Sequence, residues 1–228
     1  MTNATTILSQ CSNLLKLEIL IELPAVENQV YPIQTIYLPV LEDFTLHDSS
    51  FNPLFEDTNI NLFLDRLRLP ALTRLSLDTG GCTDIQLCDS LASLIMRSNC
   101  ALKELYLMDG QRQPDNLALE DLLRLCSGVH KLNMPYMAFM ETVLVCIARG
   151  EILPMLEDWS FNCDMASLPI LEDIIKARRP QNTPSGMAVL SGLNMIGGDI
   201  QQLSAEELDN YRACKMQLRT YGPRFCIS

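Results

Sequence analysis

Apolar residues along this chain recur in a six-residue pattern, L-x-x-L-x-L, clearest at Leu72-Thr73-Arg74-Leu75-Ser76-Leu77. Seven copies begin at Leu14, Leu41, Leu72, Leu102, Val129, Leu156 and Leu190. Their later apolar positions are Leu17 and Ile19, Phe44 and Leu46, Leu75 and Leu77, Leu105 and Leu107, Leu132 and Met134, Trp159 and Phe161, and Leu193 and Met195. Successive starts lie 27, 31, 30, 27, 27 and 34 residues apart. A unit recurring at such a period cannot bury its apolar side alone and stacks on its neighbours. Within each copy the closing residues alternate apolar and polar, the two-residue period of a half-buried strand.

Between the copies the period becomes helical. Leu119, Leu122, Leu123 and Cys126 form one stripe, and Met140, Val143, Leu144 and Ile147 another. Ile85, Cys88, Leu91 and Leu94 form a third, started by a capping box of Thr83 and Gln86. Leu171, Ile174 and Ile175 mark the helix of the sixth repeat. Three copies are entered through Leu38-Pro39-Val40-Leu41, Leu69-Pro70-Ala71-Leu72 and Leu153-Pro154-Met155-Leu156, where proline ends the preceding element. Cys11-Ser12-Asn13, Asn99-Cys100-Ala101 and Cys126-Ser127-Gly128 offer small residues for the same turn.

From Leu20 to Leu38 there is no helical stripe, which predicts an extended or irregular linker. A seventh strand is expected from about Ala188 to Met195. A closing helix from about Ala205 to Arg219 follows, started by Ser204 and Glu207, with Leu208, Tyr211, Cys214 and Leu218 covering the last repeat. The expected fold is an α/β solenoid of about seven irregular repeats of 27–34 residues, with a parallel strand face and outer helices. Residues 1–228 make a single domain: a partial amino-terminal element at 1–13, repeats over 14–196, and a closing helix and tail over 197–228. The short segment from Ala4 to Gln10 is all that precedes the first repeat, so an upstream continuation or a partner is expected to cover that end.

Composition narrows the function classes. Of 228 residues, 48% are hydrophobic and 20% charged, the make-up of a folded protein rather than a disordered one. The formal charge is −11 and lies in residues 1–170, so the counterion release that drives nucleic-acid binding is not expected. The nine cysteines include no C-x-x-C and are an odd number, which favours reduced core cysteines of a cytoplasmic or nuclear protein over disulfides or structural zinc. No apolar run reaches the roughly 18 residues of a membrane span, so no membrane association is expected.

The spacing of the copies, with several introduced by Leu-Pro-x-Leu, resembles the irregular leucine-rich repeats of fungal F-box proteins. The likeness spans about residues 11 to 220, including Leu168 to Pro180, which is similar to that family's Leu-x-x-x-(Leu/Ile)-x-x-Arg helix, and the short Leu208–Leu218 helix. The resemblance implies a leucine-rich-repeat solenoid that recruits substrate for a cullin-type ubiquitin ligase. It implies docking onto the ligase core only if an F-box lies upstream of these residues.

In a leucine-rich repeat the leucines point inward and the side chains between them line a concave surface. The positions so selected are Lys16 and Glu18; Asp43, Thr45 and His47; Arg74, Ser76 and Asp78; Glu104, Tyr106 and Met108; Lys131, Asn133 and Pro135; Asp158, Ser160 and Asn162; and Gly192 and Asn194. Tyr106 and Met108 form its apolar patch, of the residue types that anchor interfaces. These residues are expected to hold a protein partner, with no catalytic group, metal or cofactor.

The competing chemistry is Asp78-Thr79-Gly80, the tripeptide of aspartic proteases, with Met195-Ile196-Gly197-Gly198-Asp199 resembling the apolar-Ile-Gly segment that follows it in the retroviral type. Against it, the stretch from Asp78 to Gly197 is too long for that compact fold and no second Asp-Thr-Gly occurs. His47 and His130 are expected as lone solvent-facing side chains, since no nucleophile motif accompanies them.

Overall fold

A computed structural model describes residues 7–8, 10–21, 35–48, 59–78, 87–108, 116–163, 168–197, 205–222 and 224–227. The chain forms two compact units, Met1–Leu125 and Cys126–Ser228. Both are α/β, and in both the large sheet is parallel.

In the first unit the strands are β1 (Lys16–Ile21), β2 (Ile36–Tyr37), β3 (Asp43–Asp48), β4 (Leu67–Arg68), β5 (Arg74–Asp78) and β6 (Glu104–Met108). The helices are α1 (Asn59–Leu64), α2 (Leu87–Ser98) and α3 (Asn116–Leu125). β1, β3, β5 and β6 form one parallel sheet in that order, and β2 pairs with β4 in a small second one. Each strand of the main sheet begins two residues after the start of a sequence copy. The register pairs like with like, Lys16 with Asp43, Asp43 with Arg74, and Arg74 with Glu104.

One carbonyl per repeat holds that register. Leu15 O accepts the N–H groups of Glu42 and Asp43 at 2.9 and 3.1 Å, Glu42 O those of Thr73 and Arg74 at 2.9 Å each, and Thr73 O those of Lys103 and Glu104 at 2.7 and 3.0 Å. The leading and inner apolar residues of the second to fourth copies are buried, whereas Leu14, Leu17 and Ile19 of the first are only half-buried.

The second unit repeats the scheme. β7 (Lys131–Ala138), β8 (Asp158–Cys163), β9 (Gly192–Gly197) and β10 (Phe225–Ile227) run parallel, with helices α4 (Glu141–Arg149), α5 (Leu168–Ala177) and α6 (Ala205–Arg219). His130 O accepts from Glu157 and Asp158 at 2.8 and 3.0 Å, and Glu157 O from Ser191 and Gly192 at 2.7 and 3.0 Å. Its core is aromatic: the Trp159 and Phe161 rings stack at 4.0 Å, and Phe139 meets both edge-on at 5.2 and 5.5 Å. The carboxyl-terminal helix packs on this unit through Tyr211 and Leu218, while the side chains of Leu208 and Cys214 lie outside the described residues.

The turns that introduce strands follow from sequence. Leu41 N–H donates to Leu38 O, Leu72 to Leu69 O and Leu156 to Leu153 O, closing a turn with proline at its second position. The small-residue entries at Cys11–Leu14 and Cys126–Val129 close with the same bond. Asn99, by contrast, leaves α2 in the left-handed conformation at φ 50°, which an asparagine tolerates. Leu153 also has a positive φ, 51°, an unusual state for a leucine.

A buried arginine secures that turn. Arg178, just past α5, is fully buried and donates to Ile147 O and Leu153 O at 2.9 Å and to Leu156 O at 3.1 Å. Burial lowers its pKa to about 10, still far enough above neutral for the guanidinium to remain charged. Arg97 plays a similar part in the first unit, donating to Leu64 O at 2.9 Å and Leu67 O at 3.1 Å, while Ser98 Oγ accepts from Leu69 N–H at 3.0 Å. In each unit the end of one helix thus ties down the loose carbonyls of an earlier helix end and of the chain that follows it.

Several expectations change. Helix α4 starts at Glu141, so Met140 is its extended N-cap and is exposed rather than part of the buried stripe. The irregular linker contributes β2 at its end; its residues 22–34 lie outside the described set, as do Thr83, Ile85 and Gln86 of the expected α2 start and Ser204 before α6. The seventh repeat strand runs from Gly192 to Gly197, starting after the expected Ala188 and ending beyond the expected Met195. The tail after α6 adds β10 beside β9 in the parallel sheet of the second unit, a strand that no leucine copy announces. Cys88 and Cys126 are buried free thiols, but Cys11, Cys100 and Cys146 are only half-buried, the first two in the turns that lead into β1 and β6 and the third on α4.

Two predictions follow from these contacts. Replacing Arg178 by Met removes a charged donor from three carbonyls, of which Ile147 O and Leu153 O keep the backbone N–H groups of Gly150 and Leu156, and should cost about 2–3 kcal/mol in urea unfolding, with Arg178→Lys recovering part of the loss. The second concerns Glu172, whose carboxylate pairs with Lys176 at 2.7 Å and accepts from Gln217 of α6 at 2.6 Å. Its pKa is lowered, chiefly by the Lys176 hydrogen bond. Its contribution is therefore complete above the ordinary carboxylate range and lost as pH falls through the depressed folded-state value. The protection of the α6 amides, taken relative to their intrinsic exchange rate at each pH, should fall over that acidic window in the wild type, with a smaller pH response in Glu172→Gln.

Candidate strand-face interaction surface

Parallel register turns the polar positions of each repeat into rows. In the first unit one row is Lys16, Asp43, Arg74 and Glu104, the next Glu18, Thr45, Ser76 and Tyr106, and the last Leu20, His47, Asp78 and Met108. All twelve side chains are exposed or half-buried, while the apolar residues between them in β3, β5 and β6 point into the core. Strand alternation places the two sets on opposite faces.

Charges alternate along the first row. Lys16 Nζ lies 3.4 Å from Asp43, and Arg74 Nε lies 3.9 Å from Asp43 and 3.8 Å from Glu104. The Arg74 guanidinium also covers the Tyr106 ring at 5.0 Å, and the Tyr106 hydroxyl donates to Glu104 at 3.0 Å. Arg74, Glu104 and Tyr106 therefore form one connected group spanning β5 and β6. The expected apolar patch of Tyr106 and Met108 is bordered by this charge pair.

His47 faces solvent but is not alone. Its Nε2 lies 3.6 Å from Glu18 and its Nδ1 3.5 Å from Asp78. Register accounts for one of them directly, since His47 and Asp78 are Cα partners across β3 and β5; on the other side the partner of His47 is Leu20, and Glu18, opposite Thr45, reaches the ring from the diagonal position two residues back. His130 is likewise partnered, its Nδ1 3.1 Å from Glu157. Asp78, the aspartate of the Asp-Thr-Gly tripeptide, closes β5 beside this imidazole; Thr79 and Gly80 lie outside the described residues.

In the second unit the rows are Lys131, Asp158 and Gly192, then Asn133, Ser160 and Asn194. Asn194 donates to Ser160 at 3.4 Å, and Arg224 reaches Asp158 at 3.8 Å. Gly192 leaves the space that the Asp158 carboxylate occupies, which a Cβ at that position would enter. Asn162 is half-buried at the end of β8, whereas the side chain of Pro135 lies outside the described residues. Glu157 and Arg224 were not among the expected surface residues. Glu157 precedes the alternating positions, and Arg224 follows the closing helix, so repeat spacing points to neither.

No group of three or more His, Cys, Asp or Glu side chains suited to a metal ion occurs among the described residues. No helix among them is long and apolar enough to cross a membrane. In the first row the basic partners of the ion pairs are exposed and the acidic ones, Asp43 and Glu104, half-buried, so each pair is worth about 1 kcal/mol. Arg74→Ala and Tyr106→Ala should accordingly each shift thermal or urea stability by no more than about 1 kcal/mol, which makes them suitable binding probes. No family model, curated protein or solved structure matches the chain.

Proposed function

We propose that this chain is a leucine-rich-repeat solenoid serving as a non-catalytic protein-interaction scaffold, similar to the substrate-recognition part of an F-box adaptor. The observation that carries the reading is the row arrangement. Equivalent positions of successive repeats stand side by side on an accessible strand face, while the positions between them fill the core. A surface built this way recognises by position and charge pattern and contributes no bond-breaking group. Its anchors are Tyr106 and Met108, framed by Arg74 and Glu104, with Asp43, Thr45, His47, Ser76 and Asp78 around them. Lys131, Asn133, Asp158 and Ser160 present the corresponding surface of the second unit.

On this reading the partner is a protein bound to a concave strand face, in the cytoplasm or nucleus, and the ligase core is engaged only through an upstream F-box. Affinity capture with wild-type protein, followed by identification of the retained proteins, should recover specific partners that Arg74→Ala and Tyr106→Ala lose by tenfold or more. Equal recovery by folded variants would rule out this face. Use of Asp78 as an aspartic-protease carboxylate is checked in the same preparation: cleavage of an unstructured substrate at acid pH that vanishes in Asp78→Asn would replace the scaffold reading.

A further inference from the structure

Strand β1 is the exception within its sheet. Leu17 and Ile19 are half-buried, whereas their equivalents Phe44, Leu46, Leu75, Leu77, Leu105 and Leu107 are all buried. Leu15 beside it is 60% exposed and Leu20 is 58% exposed. Among the described residues β1 pairs with β3 alone, through six consecutive residues without a bulge or a proline. The strand is apolar on its core face and carries Lys16 and Glu18 on the other, and regular edges with an uncovered apolar face are what folded proteins ordinarily shorten, interrupt or cover.

The orientation of the edge follows from the β3 bonds. Leu15 O accepts from β3, so alternation turns the peptide groups of Leu17 and Ile19 toward β3 as well. The N–H and C=O groups of Lys16, Glu18 and Leu20 therefore point away from it. An antiparallel neighbour with the same sequence must bond through its own Lys16, Glu18 and Leu20, which restricts the registers to steps of two residues. If Glu18 stood opposite Glu18 of the partner, like charges would meet on the axis. One step away, Lys16 stands opposite the partner's Glu18, and Glu18 opposite the partner's Lys16. Leu17 then meets its own symmetry mate, and Leu15 lies opposite Ile19.

We propose that a second copy of this chain docks on β1 in that register, forming a two-fold dimer that continues the sheet. The contact is isologous and closes on itself, so it yields a dimer rather than a fibre. Two crosswise ion pairs lie on the polar face, and the half-buried leucine and isoleucine side chains of both copies cover one another on the core face. This proposal does not depend on the scaffold reading, since it uses the edge of the sheet and leaves the rows of β3, β5 and β6 accessible.

Sedimentation velocity of the full chain across a wide concentration range tests it, with circular dichroism to verify folding. The wild type should pass from monomer to dimer. Glu18→Lys, which brings lysines face to face at both crosswise positions, should weaken the dimer about tenfold. The charge-swapped double variant Lys16→Glu/Glu18→Lys should restore it. Under mild oxidation Leu17→Cys should give a 17–17 linkage on peptide mapping, because directly opposed residues at a non-hydrogen-bonded site lie close enough for a disulfide. A wild type that stays monomeric throughout would overturn the proposal. So would a dimer that is indifferent to charge reversal and yields no 17–17 linkage.

Discussion

The structure depends on one backbone carbonyl per repeat, that of the residue after the leading apolar position. At Leu15, Glu42, Thr73, His130 and Glu157 this oxygen accepts two successive N–H groups from the next repeat. A shared acceptor of this kind leaves little freedom in register, and register is the variable on which a half-buried sheet is most sensitive. A slip of one residue would turn every leucine outward and every charge inward. The large apolar residues and this pair of bonds act on the same choice, so the strands align by position within the repeat despite spacings that vary by several residues.

The surface properties follow from that alignment. Residues that are 27 to 31 positions apart in sequence become side-chain neighbours, and opposite charges at equivalent positions become ion-pair rows. Each link joins an exposed cation to a half-buried carboxylate at 3.4 to 3.9 Å and is weak, so the rows shape a surface without carrying much stability. Stability resides behind the sheet instead, in the apolar positions and in two arginines that satisfy helix-end and turn carbonyls. Removing surface charge and removing Arg178 are therefore expected to have different consequences, one for recognition and the other for folding.

Most of the strand arrangement was legible in the sequence. From the second copy onward each hexapeptide told which of its residues would be buried, because side chains on a strand alternate strictly and the leucines leave one choice of face, whereas Leu14, Leu17 and Ile19 of the first copy are only half-buried. The stripes at Leu119, Leu122 and Leu123 and at Leu171, Ile174 and Ile175 likewise gave helices, and the closing helix spans Ala205–Arg219 as expected. The candidate surface was legible as a set of positions for the same reason.

What only the tertiary structure decided are the relations between distant residues. That His47 stands between Glu18 and Asp78, that His130 meets Glu157 and that Arg74 lies over Tyr106 depends on which repeats are neighbours and in what register. Repeat spacing identifies equivalent positions but says nothing of side-chain pairing across them. Arg178 was hidden for a related reason: its partners are backbone carbonyls, and any sequence supplies those. β10 pairs through its backbone after a closing helix that the pattern treats as the end, and Met140 became a cap because helical period alone does not fix where a helix starts. Sequence periodicity thus determined what each residue faces, toward core or solvent, whereas long-range packing decided what each residue touches.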